Sequence, residues 1–366
     1  MPIFPWFRRA AVALCIAIAL PCLAQAPQAL FYMTGSPDSV RDFLAHASQV
    51  DLLVPAWYRV DENGLVSGEP DPLVMATAKA AHVPVEPLLA SEFATPESFH
   101  QLLQNPNAQQ RMIDALLREA RLHGYKGFQF DFENVAWTDR DALSTLVARA
   151  AAALHAAGFQ LTIAVVPGAP GYPGATAFST WNYAHWQGAY DLAALARSTD
   201  LICLMTYDED TAYTPPGPVA GWQWVVRNLD YALKAVPRAK LSLGIPLYGR
   251  HWFAGAPKPS PPNPAAPFSA RADGNDLPNP TADYIGGEDA LLLAKTWGAT
   301  VQWDPVDRSS WFWFYRDNVR EWVYFTTGRS FAARYDLVKQ RGLEGFCSWV
   351  LGTEDPSIWK VLPTHP

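Results

Sequence analysis

Cysteine is scarce, four in 366 residues, and two of these, Cys15 and Cys22, sit in an apolar N-terminal stretch. Cys203 and Cys347 alone remain for the body of the chain, which excludes a disulfide-dense scaffold. Both fall in expected strands, where a thiol behaves as a small buried hydrophobe, and a bridge between them stays open. Basic charge is also short: 28 Lys and Arg stand against 35 Asp and Glu, a formal net charge of −7 that argues against nucleic acid as a partner. No GxGxxG or P-loop follows any strand-like run, which weakens a dinucleotide-binding reading. No histidine is spaced to complete a transition-metal set, so neither metal nor cofactor is expected.

The N-terminal apolar run is shorter than the roughly 20 residues a spanning helix needs. Arg8 and Arg9 precede it and Ala24-Gln25-Ala26 follows as a small-x-small site, the pattern of a secretory signal peptide cleaved after Ala26. Cys22 makes only a poor lipoprotein site. A secreted or periplasmic protein is expected, monomeric and with no membrane attachment after cleavage. Residues 27–366 suit one barrel of roughly 250 residues plus an insertion.

Eight short apolar runs alternate with helical stretches, the pattern of a parallel sheet with helical crossovers. They begin at Ala29, Asp51, Val83, Gly127, Gln160, Leu201, Lys240 and Gly345. Helices are expected over 109–123, 141–157, 222–236 and 331–341. Gly124, Gly158 and Gly342 stand where a helix would close through a left-handed residue, and Ser330 is a plausible N-cap for the last. Eight units in series favour a closed (β/α)8 TIM barrel over an open doubly wound sheet. The beat breaks between Arg250 and Arg329, so 251–329 reads as an insertion between the seventh and eighth strands. It opens with a proline-rich exposed loop and contains a β-hairpin turning near Asp317-Asn318.

The fourth run, GFQFDFE, sets Gln129, Asp131 and Glu133 on one face and Phe128, Phe130 and Phe132 on the other. Anionic side chains are seldom buried without a partner or a task, though an edge strand with one wetted face reads the same in isolation. The ends of the other runs are polar too: Met205-Thr206-Tyr207-Asp208, Tyr248-Gly249-Arg250 and Trp349. Carboxylates, a phenol, a guanidinium and an indole around one barrel mouth suit a glycoside. Aromatic content of 13%, with 15 Trp, also suits stacking on sugar rings, although packing accounts for such composition equally well.

These segments resemble glycoside hydrolase family 18, the chitinase family. GFQFDFEN resembles its fourth-strand signature DxxDxDxE, and LMTYDED, LGIPLYGRHW and GFCSWVLGTEDPSIW resemble its sixth, seventh and eighth strands in order. The branch containing spore-germination and cortex-lytic N-acetylglucosaminidases is the most similar. The resemblance implies a TIM barrel that cleaves β-linked N-acetylglucosamine polysaccharide or oligosaccharide with retention, using the substrate's own acetamido oxygen as nucleophile. It implies Glu133 as general acid and base, Asp131 as orienter of the acetamido group and Tyr207 as its hydrogen-bond donor. Asp208, Tyr248, Arg250 and Gln129 match sugar-binding or supporting positions, Trp349 the subsite floor and Tyr32 a weaker position on strand one.

Lys126 and Gln129 depart from the signature, replacing its first two acids. Gln129 is expected to hydrogen-bond Asp131 without sharing a proton, and Lys126 to be neutral in effect. Asp208-Glu209-Asp210 reads as a solvated acidic run, and His185 and His251 as ordinary polar residues. The competing readings are a non-hydrolytic lectin on the same barrel, disfavoured because Glu133 is kept, and a barrel lyase or phosphate-handling enzyme with bound Mg²⁺, which fits the acidic strand ends but has no supporting motif.

Overall fold

The computed structural model describes residues 26–91, 96–168, 173–212, 214–253 and 281–364. All of the expected signal peptide but Ala26 and the whole of the proline-rich loop lie outside these residues.

The chain opens with strands β1 (Gln28–Met33), β2 (Leu52–Pro55), β3 (Tyr58–Val60), β4 (Val66–Ser67), β5 (Leu88–Ser91), β6 (Gly127–Asp131), β7 (Gln160–Val165), β8 (Leu201–Leu204) and β9 (Leu241–Pro246). An inserted sheet supplies β10 (Tyr248–Phe253), β11 (Thr281–Gly286), β12 (Gln302–Asp304), β13 (Ser309–Arg316) and β14 (Val319–Phe325) before β15 (Gly345–Trp349) returns to the first sheet. That first sheet runs β2-β1-β15-β9-β8-β7-β6-β5-β3-β4. All of its pairs are parallel except the short β3–β4 ribbon.

The second apolar run explains the closure. It breaks at Ala56-Trp57, so that β2 pairs with β1 and β3 pairs with β5 across the seam. A bridge between Leu53 and Val85 joins the edges, with Leu53 N–H donating to Pro84 O at 3.0 Å and Glu86 N–H to Leu53 O at 3.0 Å. Pro84 and Pro87 have no N–H to give, which limits this stretch to one bridge and delays β5 to Leu88. The result is the expected eight-stranded (β/α)8 TIM barrel.

Alternation along each strand separates two cores. Phe31, Phe128, Phe130, Ile163 and Phe346 point outward into the layer beneath the helices, with Leu116, Leu143 and Leu146 of the helices Pro106–His123 and Arg140–Ala156. Leu30, Tyr32, Val54, Cys203 and Cys347 fill the interior. Both cysteines are free thiols there. Fully burying a Phe is worth about 1.5–3 kcal/mol, so the outer layer carries much of the fold. The helices end as the glycines imply: Gly124, Gly158 and Gly342 have φ of 70, 84 and 60°. The last helix starts earlier than expected, at Gly328, because Thr327 and not Ser330 is its N-cap, accepting from Ser330 N–H.

The insertion is larger than a loop and a hairpin. The hairpin is there, β13 and β14 turning through Asp317 and Asn318 at φ 51 and 61°, with Arg316 opposite Val319. It belongs to a five-stranded antiparallel sheet, β11-β10-β14-β13-β12, backed by the helix Gly287–Thr296 over Phe312, Phe314, Val323 and Phe325. A helix of one face and a sheet of alternating aromatics bury one another, a packing that depends on contacts far apart in sequence.

Candidate active site

Every group the sequence assigned to the cleft except Gln129, which sits in mid-strand, comes from the C-terminal end of a barrel strand or from β10, which leaves the barrel at that end. β6 stops at Asp131, Phe132 turns outward and is fully buried, and Glu133 follows on the inner side. The Tyr190 hydroxyl donates to Phe132 O at 2.8 Å and pins the backbone between the two carboxyls. Asp131 and Glu133 share a hydrogen bond.

Burial first, and then the negative charges of Asp131 and Asp208, push the Glu133 carboxyl up to about 8. Burial also pushes Asp131 up to about 6, partly offset by the hydrogen bond from Glu133 and by the charge of Arg59. The pair therefore holds one proton across neutrality, on Glu133. Burial raises the phenols of Tyr207 and Tyr32, with Asp131 adding to the shift in both, so each stays a neutral hydrogen-bond donor.

Thr206 bonds Gly244 O at 2.7 Å and fixes the turn that presents Tyr207 and Asp208. Asp208 adopts φ 60°, a left-handed conformation that turns its carboxylate toward Arg250, whose Nη2 donates to Oδ1 at 2.7 Å. Tyr248, 1% exposed, also bonds Asp208 and stacks on Tyr284 with centroids 4.3 Å apart. Gly249 between them has no room for a side chain, since a Cβ would lie 2.3 Å from Tyr324 O. Trp349 lies at the end of β15, its ring 5.4 Å from Tyr32. Tyr32 is 1% exposed.

Asp131, Glu133, Tyr207, Asp208, Tyr248, Arg250, Trp349 and Tyr32 thus converge. Gln129 does not join them. It is 0% exposed, inside the barrel, and its Nε2 donates to Thr162 Oγ1 at 3.0 Å and to Cys203 Sγ at 3.5 Å. The expected hydrogen bond to Asp131 is not formed, because the amide nitrogen is taken by its neighbours across the barrel. Lys126 lies at the strand entry, its Nζ 3.9 Å from Oε1 of Glu86, a residue with no exposed surface.

The acidic run splits among separate partners, Asp208 to Arg250 and Glu209 to the Gly221 N–H at 2.6 Å. His251 pairs with Glu321 at 2.7 Å and His185 stacks on Trp181. Sequence reasoning missed Glu86, Thr162, Tyr190, Tyr284 and Arg59. Only Glu86 left a signal, a lone acid between two prolines in an otherwise apolar run.

A barrel mouth holding two carboxyls against each other, one of them raised to about 8, with phenols and an indole around them, has the equipment of a glycosidase. The family model of "Glycosyl hydrolases family 18" matches residues 31–354. The chain belongs to glycosyl hydrolase family 18. It is 27% identical over 262 residues to a cortical fragment-lytic enzyme of Bacillus subtilis (strain 168), covering 71% of this chain and 54% of the relative. The chain therefore spans about half the length of that relative. A putative sporulation-specific glycosylase, YdhD, of the same organism is 25% identical over 331 residues, covering 88% of this chain and 70% of the relative. Among solved structures, a chitinase from Chromobacterium violaceum superposes with a TM-score of 0.78 at 25% identity, covering 92% of this chain and 98% of its own. The Bacillus cereus spore cortex-lytic enzyme SleL gives 0.78 at 21% identity, covering 92% and 74%, and supports the fold alone.

Proposed function

We propose that this protein is a secreted, retaining glycosidase that cleaves β-linked N-acetylglucosamine glycans by substrate-assisted catalysis. One observation carries the reading: half-buried Glu133 shares a hydrogen bond with Asp131 at the barrel mouth, where burial and the neighbouring negative charges raise its carboxyl to about 8. In this scheme Glu133 protonates the glycosidic oxygen while the acetamido carbonyl oxygen of the same sugar attacks C1 and the leaving sugar departs. Asp131, ionised, accepts from the acetamido N–H and stabilises the positive charge of the cyclic intermediate. Tyr207 donates to the acetamido oxygen and holds it below C1, where effective concentration replaces a protein nucleophile. Glu133, now a carboxylate, takes a proton from the water that opens the intermediate from the original face, and the anomer is retained. Trp349 supplies an apolar floor, and Asp208, held by Arg250, contacts the sugar hydroxyls. Export rests on the composition of residues 1–26.

The relatives' names divide between cortex-lytic enzymes and chitinases, and both substrates carry the N-acetyl group the scheme needs. Chitin oligosaccharides and purified peptidoglycan, incubated in parallel, test the reading. Mass spectrometry is expected to find new N-acetylglucosamine reducing ends from at least one, and proton NMR the β-anomer first. An α-anomer as first product, or binding measured by calorimetry with no new reducing ends, contradicts it.

A further inference from the structure

Alternation on β3 settles where Arg59 points. Tyr58 and Val60 are buried in the outer core beneath the helices, so the residue between them faces the inner side of the barrel. The register agrees. Arg59 stands level with Ala90 on β5, and Ala90 with Asp131 on β6, which makes one row on the inner face at the mouth. Two strand spacings, about 10 Å, separate the backbones of Arg59 and Asp131. Arg59 is exposed, and both of its neighbours in the row are small: Ala90 on one side and Ser67, opposite it on β4, on the other. Neither has the bulk to cover a guanidinium.

The two arginines of the mouth are held differently. Arg250 is committed to Asp208 at 2.7 Å. Arg59 makes no ion pair and no side-chain hydrogen bond among the described residues. It is close enough to be felt at the site: burial raises the Asp131 carboxyl, and the charge of Arg59 opposes that rise. The walls also differ. In the strand order β3-β5-β6-β7-β8, Asp131 on β6 lies midway between Arg59 and the end of β8, where Tyr207 and Asp208 follow. One wall of the cleft therefore carries an acid already paired with its arginine, and the other an arginine whose planar fork of N–H donors is left for what enters.

A carboxylate fills such a fork with two parallel charge-assisted bonds, each roughly twice as strong as a bond to a neutral hydroxyl. An anionic sugar also depends on it more. A mouth holding Asp131, Glu133 and Asp208 repels a negative substrate unless a positive group receives it. We propose that Arg59 is a specificity-determining residue that pairs with a carboxylate carried by the glycan. The substrate is then an acid-bearing N-acetylated chain, the peptide-free glycan of peptidoglycan with the free lactyl carboxylate of its N-acetylmuramic acid, in preference to neutral chitin. This rests on the reading of the mouth as a glycosidase site and names its substrate.

The test compares glycan strands of alternating N-acetylglucosamine and N-acetylmuramic acid, freed of peptide by an amidase, with the same strands after methyl esterification of the lactyl carboxyl. The ratio of kcat/KM, carboxylate over ester, is expected at about 10 in the wild type and about 1 in Arg59→Gln. Arg59→Lys, which keeps the charge and loses the fork, is expected between them. The influence of Arg59 on Asp131 acts on both substrates alike and cancels in the ratio. Because the arginine is exposed, the wild-type ratio should also fall as salt is raised. A wild-type ratio of about 1, or a ratio of about 10 that survives in Arg59→Gln, overturns the proposal. Should Arg59→Gln not fold, the wild-type ratio and its salt dependence decide. If neither strand is hydrolysed, the proposed function fails instead, and calorimetry of both strands on the wild type still reads the preference as a ratio of Kd.

Discussion

The two faces of the segment from Phe128 to Glu133 solve opposite problems with three residues each. Outward, Phe128 and Phe130, with Phe132 just beyond the strand, are fully buried among helix side chains and leave nothing unsatisfied. Inward, Gln129 is fully buried and the half-buried carboxyls of Asp131 and Glu133 lie against each other. One face stabilises the barrel, while the other costs stability and is kept for its chemistry. Substitutions on the two faces should therefore move stability and activity in different directions.

The largest contrast is expected for Glu133→Gln. Loss of the proton donor should lower kcat on oligosaccharides by about 10³-fold, within the range for general acid catalysis, while circular dichroism stays at wild type. The matching outward change, Phe130→Ala, should cost about 3–5 kcal/mol in urea unfolding and leave kcat of the folded fraction nearly unchanged. A Phe130→Ala protein as stable as wild type would break the comparison.

A smaller effect is expected for Arg250→Met, which frees Asp208. Losing a charge-assisted hydrogen bond of about 1.5–3 kcal/mol should appear mainly as KM raised by roughly 10-fold or more, with a lesser change in kcat.

The smallest is a stability gain. The Glu133 carboxyl is raised on folding, so the folded state binds the extra proton between the ordinary value of 4.5 and about 8. Stability from this group is full below pH 4.5 and is lost as pH rises through about 8. Glu133→Gln should accordingly raise Tm by about 1–3 °C at pH 8 and by less at pH 5, as calorimetry would show.

The barrel was legible because each of its strands leaves a local trace. Apolar runs of the right length, glycines closing helices and the alternation of GFQFDFE depend on neighbours a few residues away. The convergence of Asp131, Glu133, Tyr207 and Trp349 was legible for the same reason, since strand ends meet at one mouth in any such barrel. What stayed hidden depends on pairing across the fold. Nothing near Gly287 announces that its helix will cover Phe312 and Phe325, and the sheet around the hairpin is held by β10 and β11 from distant sequence. Gln129 was misread because its position on β6 shows which face it takes, whereas its partners, Thr162 and Cys203, stand on β7 and β8. The partner of Lys126 was hidden in the same way, since Glu86 stands on the approach to β5.

The whole account turns on a carboxyl group that retains its proton where ordinary glutamates have lost theirs. Titrating the side-chain carboxyl carbon of Glu133 by ¹³C NMR, with Glu133→Gln for assignment, measures that directly. A midpoint near about 8, moving downward when Asp131 is replaced by Asn, is the expected result. A midpoint near 4.5, unmoved by that replacement, would mean that residue 133 is an ordinary solvated acid and not the proton donor.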